Sequence, residues 1–265
     1  MEMIYLRSVF PQLPKTEKDP TLTACLAEGR QMRPGILLCP GGGYLRCSER
    51  EAEPVAEKLL AMGYNVFILD YAVAPDRFPN QLLQVAAAME MIHANAEKWN
   101  TDAGKIAILG FSAGGHLACH YTNAFDCSEV REHFSESKPV QASVLCYPVI
   151  TTRENYCHKG SYQNLTGQQA PFDDRFSCEK LVSDQTPPTF IWHTAPDKTV
   201  PVFNSLLYAQ ALSEYKIPYS LHIYPYGGHG LSTVEPEINP NLPAGTELAK
   251  QWLTELDFWL KEIFK

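Results

Sequence analysis

Lys105-Ile-Ala-Ile-Leu-Gly-Phe-Ser112-Ala-Gly-Gly-His-Leu-Ala118 runs from an apolar stretch of strand length into a stretch of helical periodicity. The turn between them is Gly110-Phe-Ser-Ala-Gly114. A glycine two positions either side of a serine lets a strand and a helix pass closely enough to force the serine into a strained conformation that exposes its hydroxyl. The N-terminus of the following helix adds partial positive charge where an oxyanion would form. Strand before and helix after are the context this motif requires, so Ser112 is read as a nucleophile.

A serine hydroxyl needs a base to take its proton, and the chain has eight histidines. His116 and His120 follow the serine too closely for the chain order serine, acid, histidine. With Cys119 they share helical spacing that also suits a metal, but a helix packed against the sheet accounts for them more simply. His193 and His222 lie in strands and read as structural groups. His93, His133 and His158 have no motif around them. His229 stands in Tyr226-Gly-Gly-His229-Gly230, a glycine-rich loop after the last strand and before the last helix. That place puts an imidazole over the carboxyl edge of a sheet, so His229 is the expected base.

The acid should precede it, after the strand ending at His193. Asp197 is the single carboxylate of Thr194-Ala-Pro-Asp-Lys-Thr-Val-Pro201, and its role would be to hold the imidazole tautomer and stabilise the imidazolium. Asp173, Asp174 and Asp184 fall before that strand. Cys39-Pro-Gly-Gly-Gly-Tyr44 follows another strand at the same edge and supplies flexible backbone amides. The expected oxyanion donors are the amides of Gly42 and Gly43 with that of Ala113.

Outward from these motifs, short apolar runs alternate with helical stretches, the pattern of a mostly parallel sheet with helices on both faces. The expected strands are 35–39, 65–69, 105–109, 142–147, 189–193 and 219–224. Helices are expected over 81–99, 113–123, 203–215 and 247–264, and one from a Ser48-Glu-Arg-Glu51 capping box to Ala61. Residues 1–33 should add one or two antiparallel edge strands. The segment 148–188 has weak periodicity and reads as an insertion that lids the site or forms a surface excursion. Tyr44, Tyr156, Tyr162, Phe172 and Phe176 are its candidate pocket residues, with loop anchoring as the alternative. One domain over 1–265 is expected.

The 265 residues are 45% hydrophobic with a formal charge of −8. That acidity disfavours a nucleic-acid backbone or an anionic membrane as partner. Neither a dinucleotide-binding glycine motif nor a P-loop is present. No apolar run reaches membrane-spanning length, and residues 1–10 do not read as a signal peptide. Eight scattered cysteines without a Cys-x-x-Cys pair suit reduced thiols. A cytoplasmic protein acting on a small, neutral molecule is the expectation.

Together the Pro-Gly-Gly-Gly-Tyr loop at 40–44, Asp70-Tyr-Ala-Val-Ala-Pro75, Gly110 to Ala118, Pro196-Asp197 through Val200-Pro201 and Gly228-His229-Gly230 resemble bacterial esterases of the lipase/esterase superfamily. The likeness is greatest to the carbohydrate-esterase-like branch that includes acetyl xylan and feruloyl esterases of BD-FAE type, and it spans nearly the whole chain. Two positions depart from related patterns. Pro40 stands where the hormone-sensitive-lipase branch has histidine, and Tyr-Ala-Val-Ala-Pro replaces the usual Tyr-Arg-Leu-Ala-Pro.

The resemblance implies an α/β-hydrolase fold, with Ser112, Asp197 and His229 as nucleophile, acid and base. It implies hydrolysis of short-chain acyl esters, acetylated sugars among them, through an acyl-enzyme and without metal or organic cofactor. Two other readings compete. A prolyl-oligopeptidase-like peptidase uses the same triad but usually carries a gating domain for which this chain has no room. A catalytically silent binding protein on the same scaffold would have lost a triad member, and all three are present.

Overall fold

The computed structural model describes residues 1–29, 31–170 and 172–265. Eight strands form one sheet in the order β1-β2-β4-β3-β5-β6-β7-β8. In chain order the elements are β1 (Glu2–Tyr5), α1 (Leu6–Val9), β2 (Thr21–Cys25), β3 (Arg33–Cys39), α2 (Glu53–Ala61), β4 (Asn65–Asp70), α3 (Asn80–Ala94) and β5 (Thr101–Phe111). They continue with α4 (Ser112–Ala124), α5 (Ser128–Arg131), β6 (Ala142–Cys146), α6 (Lys159–Thr166), β7 (Thr189–Thr194), α7 (Phe203–Glu214), β8 (Tyr219–Tyr224) and α8 (Trp252–Ile263). β2 pairs antiparallel with both β1 and β4, and β4, β3, β5, β6, β7 and β8 run parallel to one another.

Alternation along the strands fills two cores. Leu37, Ile106, Ile108, Leu145 and Ile191 pack with residues of α3, α4 and α7 on one face. Ile36, Leu38, Ala107, Leu109, Val144 and Trp192 pack with α2 and α8 on the other. Because β3, β5, β6 and β7 are flanked by strands and covered on both faces, they read as unbroken apolar runs.

Several boundaries differ from expectation for local reasons. β5 begins at Thr101 because Thr101 and Asp102 pair with Arg33 and Pro34 before a register shift at Gly35. β6 stops at Cys146 because Tyr147 turns to φ 37°. α3 ends at Ala94, and Asn95 turns its side-chain amide back onto the Met91 carbonyl. The last helix is a 3-10 turn over Thr246–Gln251 followed by α8.

The expected capping box at Ser48 is absent. Residues Glu49–Glu51 form a 3-10 turn without a side-chain cap, and α2 starts at Glu53 with a proline in its first turn. The Glu51 carboxylate is drawn inward instead.

Candidate active site

The serine turn is built by close backbone approach. Ser112 sits at φ 53° as the first residue of α4. A side chain at Gly110 would stand 2.2 Å from the Gly114 carbonyl oxygen, and one at Gly114 would stand 2.2 Å from that of Cys39. Neither gap admits a carbon atom, so strand β3, strand β5 and helix α4 meet here only through glycine. The Ser112 carbonyl accepts the Val149 N–H at 3.0 Å, which ties the turn to the start of the insertion.

Three side chains from three loops converge at this point. Ser112 Oγ lies 2.7 Å from His229 Nε2, and His229 Nδ1 lies 2.6 Å from Asp197 Oδ2. The histidine side chain is 16% exposed and that of the aspartate is fully buried. Asp197 Oδ1 accepts the N–H groups of Thr199 and Val200 at 2.9 and 3.0 Å. Burial alone would raise the Asp197 carboxyl, but hydrogen bonds from His193 and His229 outweigh it and hold it well below the usual carboxylate range.

The loop after β3 turns its carbonyls toward anchors. Gly41 O accepts from Ser48 N, and Gly42 O accepts from Leu45 N and Arg46 N. Gly43 O accepts from Asn164 Nδ2 at 2.9 Å. The Gly41 N–H donates to Glu51 Oε2 at 2.9 Å. Among the described residues, the amides of Gly42, Gly43 and Ala113 donate to no other protein group. A Cβ at Gly41 would lie 3.0 Å from Ser112 Cβ, so the loop passes directly beside the nucleophile turn.

Glu51 is the residue that sequence reasoning placed wrongly. Only 3% exposed, it joins the Gly41 amide to the Tyr147 hydroxyl, which donates to Oε1 at 2.6 Å. That hydroxyl in turn accepts the Ser232 N–H at 2.9 Å, and the Tyr147 ring meets the His229 ring edge-on at 5.0 Å. One carboxylate thus links the glycine loop to the histidine loop. Asn164 and Tyr147 had no local signal at all.

The candidate pocket residues separate into two groups. Tyr44, His116, His158, Ser161, Tyr162 and Phe176 line a cavity of about 10 Å³ between the glycine loop, α4 and the insertion, room for about one water. Tyr44 is buried and donates to His116 Nδ1 at 2.8 Å, because His116 Nε2 faces the Phe176 carbonyl at 2.9 Å and must carry the proton there. Tyr156 stacks on Phe203 at 4.6 Å, and Phe172 packs against Tyr162 at 4.9 Å. Neither Tyr156 nor Phe172 lines that cavity.

Burial lowers His116 to about 4, and burial followed by the neighbouring His116 charge lowers His120 to about 3. Both rings are therefore neutral parts of the packing at pH 7. Among the described residues, no group of three or more His, Cys, Asp or Glu side chains is placed to hold a metal. No described helix is long and apolar enough to cross a membrane.

The BD-FAE family matches residues 25–212. The chain is 39% identical over 229 residues to endo-1,4-beta-xylanase B of Butyrivibrio fibrisolvens, covering 82% of this chain and 35% of that protein. It is 31% identical over 237 residues to an acetylxylan esterase of Xylanibacter ruminicola, covering 86% and 45%. The chain thus spans less than half the length of these two relatives. A crystal structure of an acetyl ester-xyloside bifunctional hydrolase from Caldicellulosiruptor lactoaceticus superposes with a TM-score of 0.86 at 35% identity, covering 99% of this chain and 96% of that one. Agreement of the matched family with the sheet order and the serine turn leads to one assignment: the chain belongs to the BD-FAE family and has the α/β-hydrolase fold.

Proposed function

We propose that the protein is a serine carboxylic-ester hydrolase acting on short-chain acyl esters, acetylated sugars among them, with Ser112 as nucleophile, His229 as base and Asp197 as acid. The observation that carries the reading is the unbroken line from Ser112 Oγ to His229 at 2.7 Å and from His229 to Asp197 at 2.6 Å. His229 Nε2 takes the Ser112 proton as the oxygen attacks the ester carbonyl. The oxyanion is received by the N–H groups of Gly42, Gly43 and Ala113, each such donor being worth roughly 2.7–4 kcal/mol. The imidazolium, paired with Asp197, then returns its proton to the leaving alcohol. Water repeats the sequence on the acyl-enzyme.

Two of the similar proteins, an acetylxylan esterase and an acetyl ester-xyloside bifunctional hydrolase, favour acetyl esters of sugars as the substrate class. Hydrolysis of p-nitrophenyl acetate, butyrate and octanoate, followed by acetate release from acetylated xylo-oligosaccharides, tests the proposal. Rates should fall with chain length and disappear in Ser112→Ala. Equal rates on octanoate, or turnover that survives the substitution, would contradict it.

A further inference from the structure

Asp197 Oδ2 receives a second imidazole. His193, fully buried near the end of β7, places Nε2 3.2 Å from that oxygen and 3.0 Å from the Val200 carbonyl. A carbonyl oxygen only accepts, so Nε2 carries a proton, shared between Val200 and Asp197. The opposite ring nitrogen lies 2.8 Å from Ser205 Oγ on α7, which fixes the ring plane. With Thr199 and Val200 on Oδ1, every side of the carboxylate is occupied, and His229 meets an oxygen that already accepts from elsewhere.

We infer that His193 is a positioning residue of the reaction, acting through Asp197: its Nε2–H holds Oδ2 toward His229 and takes up part of the carboxylate charge. This rests on the serine-hydrolase reading above. A hydrogen bond to an anion weakens what that anion can offer a second donor. Without His193 the carboxylate binds the imidazolium more strongly, and the base stays protonated to higher pH. Other groups face the pair from the elements packed around it. The Tyr147 ring covers His229, the charges of His229 and Asp197 reach His158 before α6, and the Arg50 guanidinium stands beside Gly230. Among the described side chains, His193 and His229 are the donors to the carboxylate.

The test is the pH profile of kcat/KM for p-nitrophenyl acetate in the wild type, His193→Phe, His193→Gln and Ser205→Ala. Phe removes the donor, and its acidic limb should move up by about half to one pH unit, with kcat lowered and KM unchanged. Gln can restore an N–H at the position of Nε2 and should return the limb toward the wild type. Ser205→Ala loosens the ring and should give a smaller shift of the same sign; it decides the question if His193→Phe does not fold. A limb that is unmoved, or moved to lower pH, in the folded variants overturns the assignment. Ser112→Ala separates the two claims. If turnover depends on Ser112 but the limb does not move, only the role of His193 falls; if turnover does not depend on Ser112, the hydrolase reading falls first.

Discussion

Replacing Glu51 should damage activity far more than its distance from the chemistry suggests. Its carboxylate satisfies two donors, the Gly41 amide at 2.9 Å and the Tyr147 hydroxyl at 2.6 Å. Leaving a buried donor unmet costs roughly 1–3 kcal/mol. Glu51→Ala leaves both unmet, for a stability loss of about 2–6 kcal/mol. Glu51→Gln leaves one, because an amide has a single acceptor oxygen and Tyr147 already accepts from Ser232, so its loss should be roughly 1–3 kcal/mol. The catalytic effect is separate. In Glu51→Ala the Gly41 amide is released and the glycine loop loses its tie to the histidine loop. Displacing a single oxyanion donor lowers kcat by about 10²–10³. Urea unfolding and steady-state kinetics on p-nitrophenyl acetate measure the two effects. A folded Glu51→Ala protein with wild-type kcat would refute the idea that this carboxylate holds the loop.

Three further outcomes are expected. Gly42 has φ 125°, and a Cβ there would stand 2.1 Å from the Arg46 carbonyl oxygen; Gly42→Ala should lower kcat by about 10²-fold or more with a smaller change in KM, measured on the same ester. His116 has its folded value lowered from 6.5 to about 4, so the unfolded chain binds a proton in that window that the folded one does not. Stability should fall as pH drops from about 6.5 to about 4, at up to about 1.4 kcal/mol per unit from this ring, and be level with pH above that window, and urea titrations of His116→Gln should show that part of the slope removed. Asp197→Asn should keep the fold while lowering kcat by about 10³–10⁴, because the amide favours the wrong imidazole tautomer; a loss under tenfold would be inconsistent with Asp197 as the acid.

What could be read from the chain beforehand was local. The strand-turn-helix around Ser112 is encoded in fourteen consecutive residues, Lys105 to Ala118, and glycine is the sole residue that the close backbone contacts at 110 and 114 allow. His229 and Asp197 followed from chain order around that turn, since loops leaving parallel strands emerge at one edge. Glu51 was not legible. The same Ser-x-x-Glu spacing that caps a helix here feeds a carboxylate to partners 10 and 96 positions away. His193 was legible as buried but not as paired, because its bond to Asp197 depends on how the chain turns after β7. The insertion resisted periodicity for a related reason. Its two-turn helix α6 is held by individual side-chain bonds such as Asn164 to the Gly43 carbonyl, 121 positions away, and none of these leaves a repeat in the sequence.

In the proposed reaction Ser112 forms the covalent intermediate. Intact and peptide mass spectrometry after treatment with a p-nitrophenyl phosphonate tests it most directly. One adduct per chain is expected, located on Ser112, formed in step with loss of esterase activity and absent from Ser112→Ala. An adduct on another residue, or inactivation that leaves Ser112 unmodified, would contradict it.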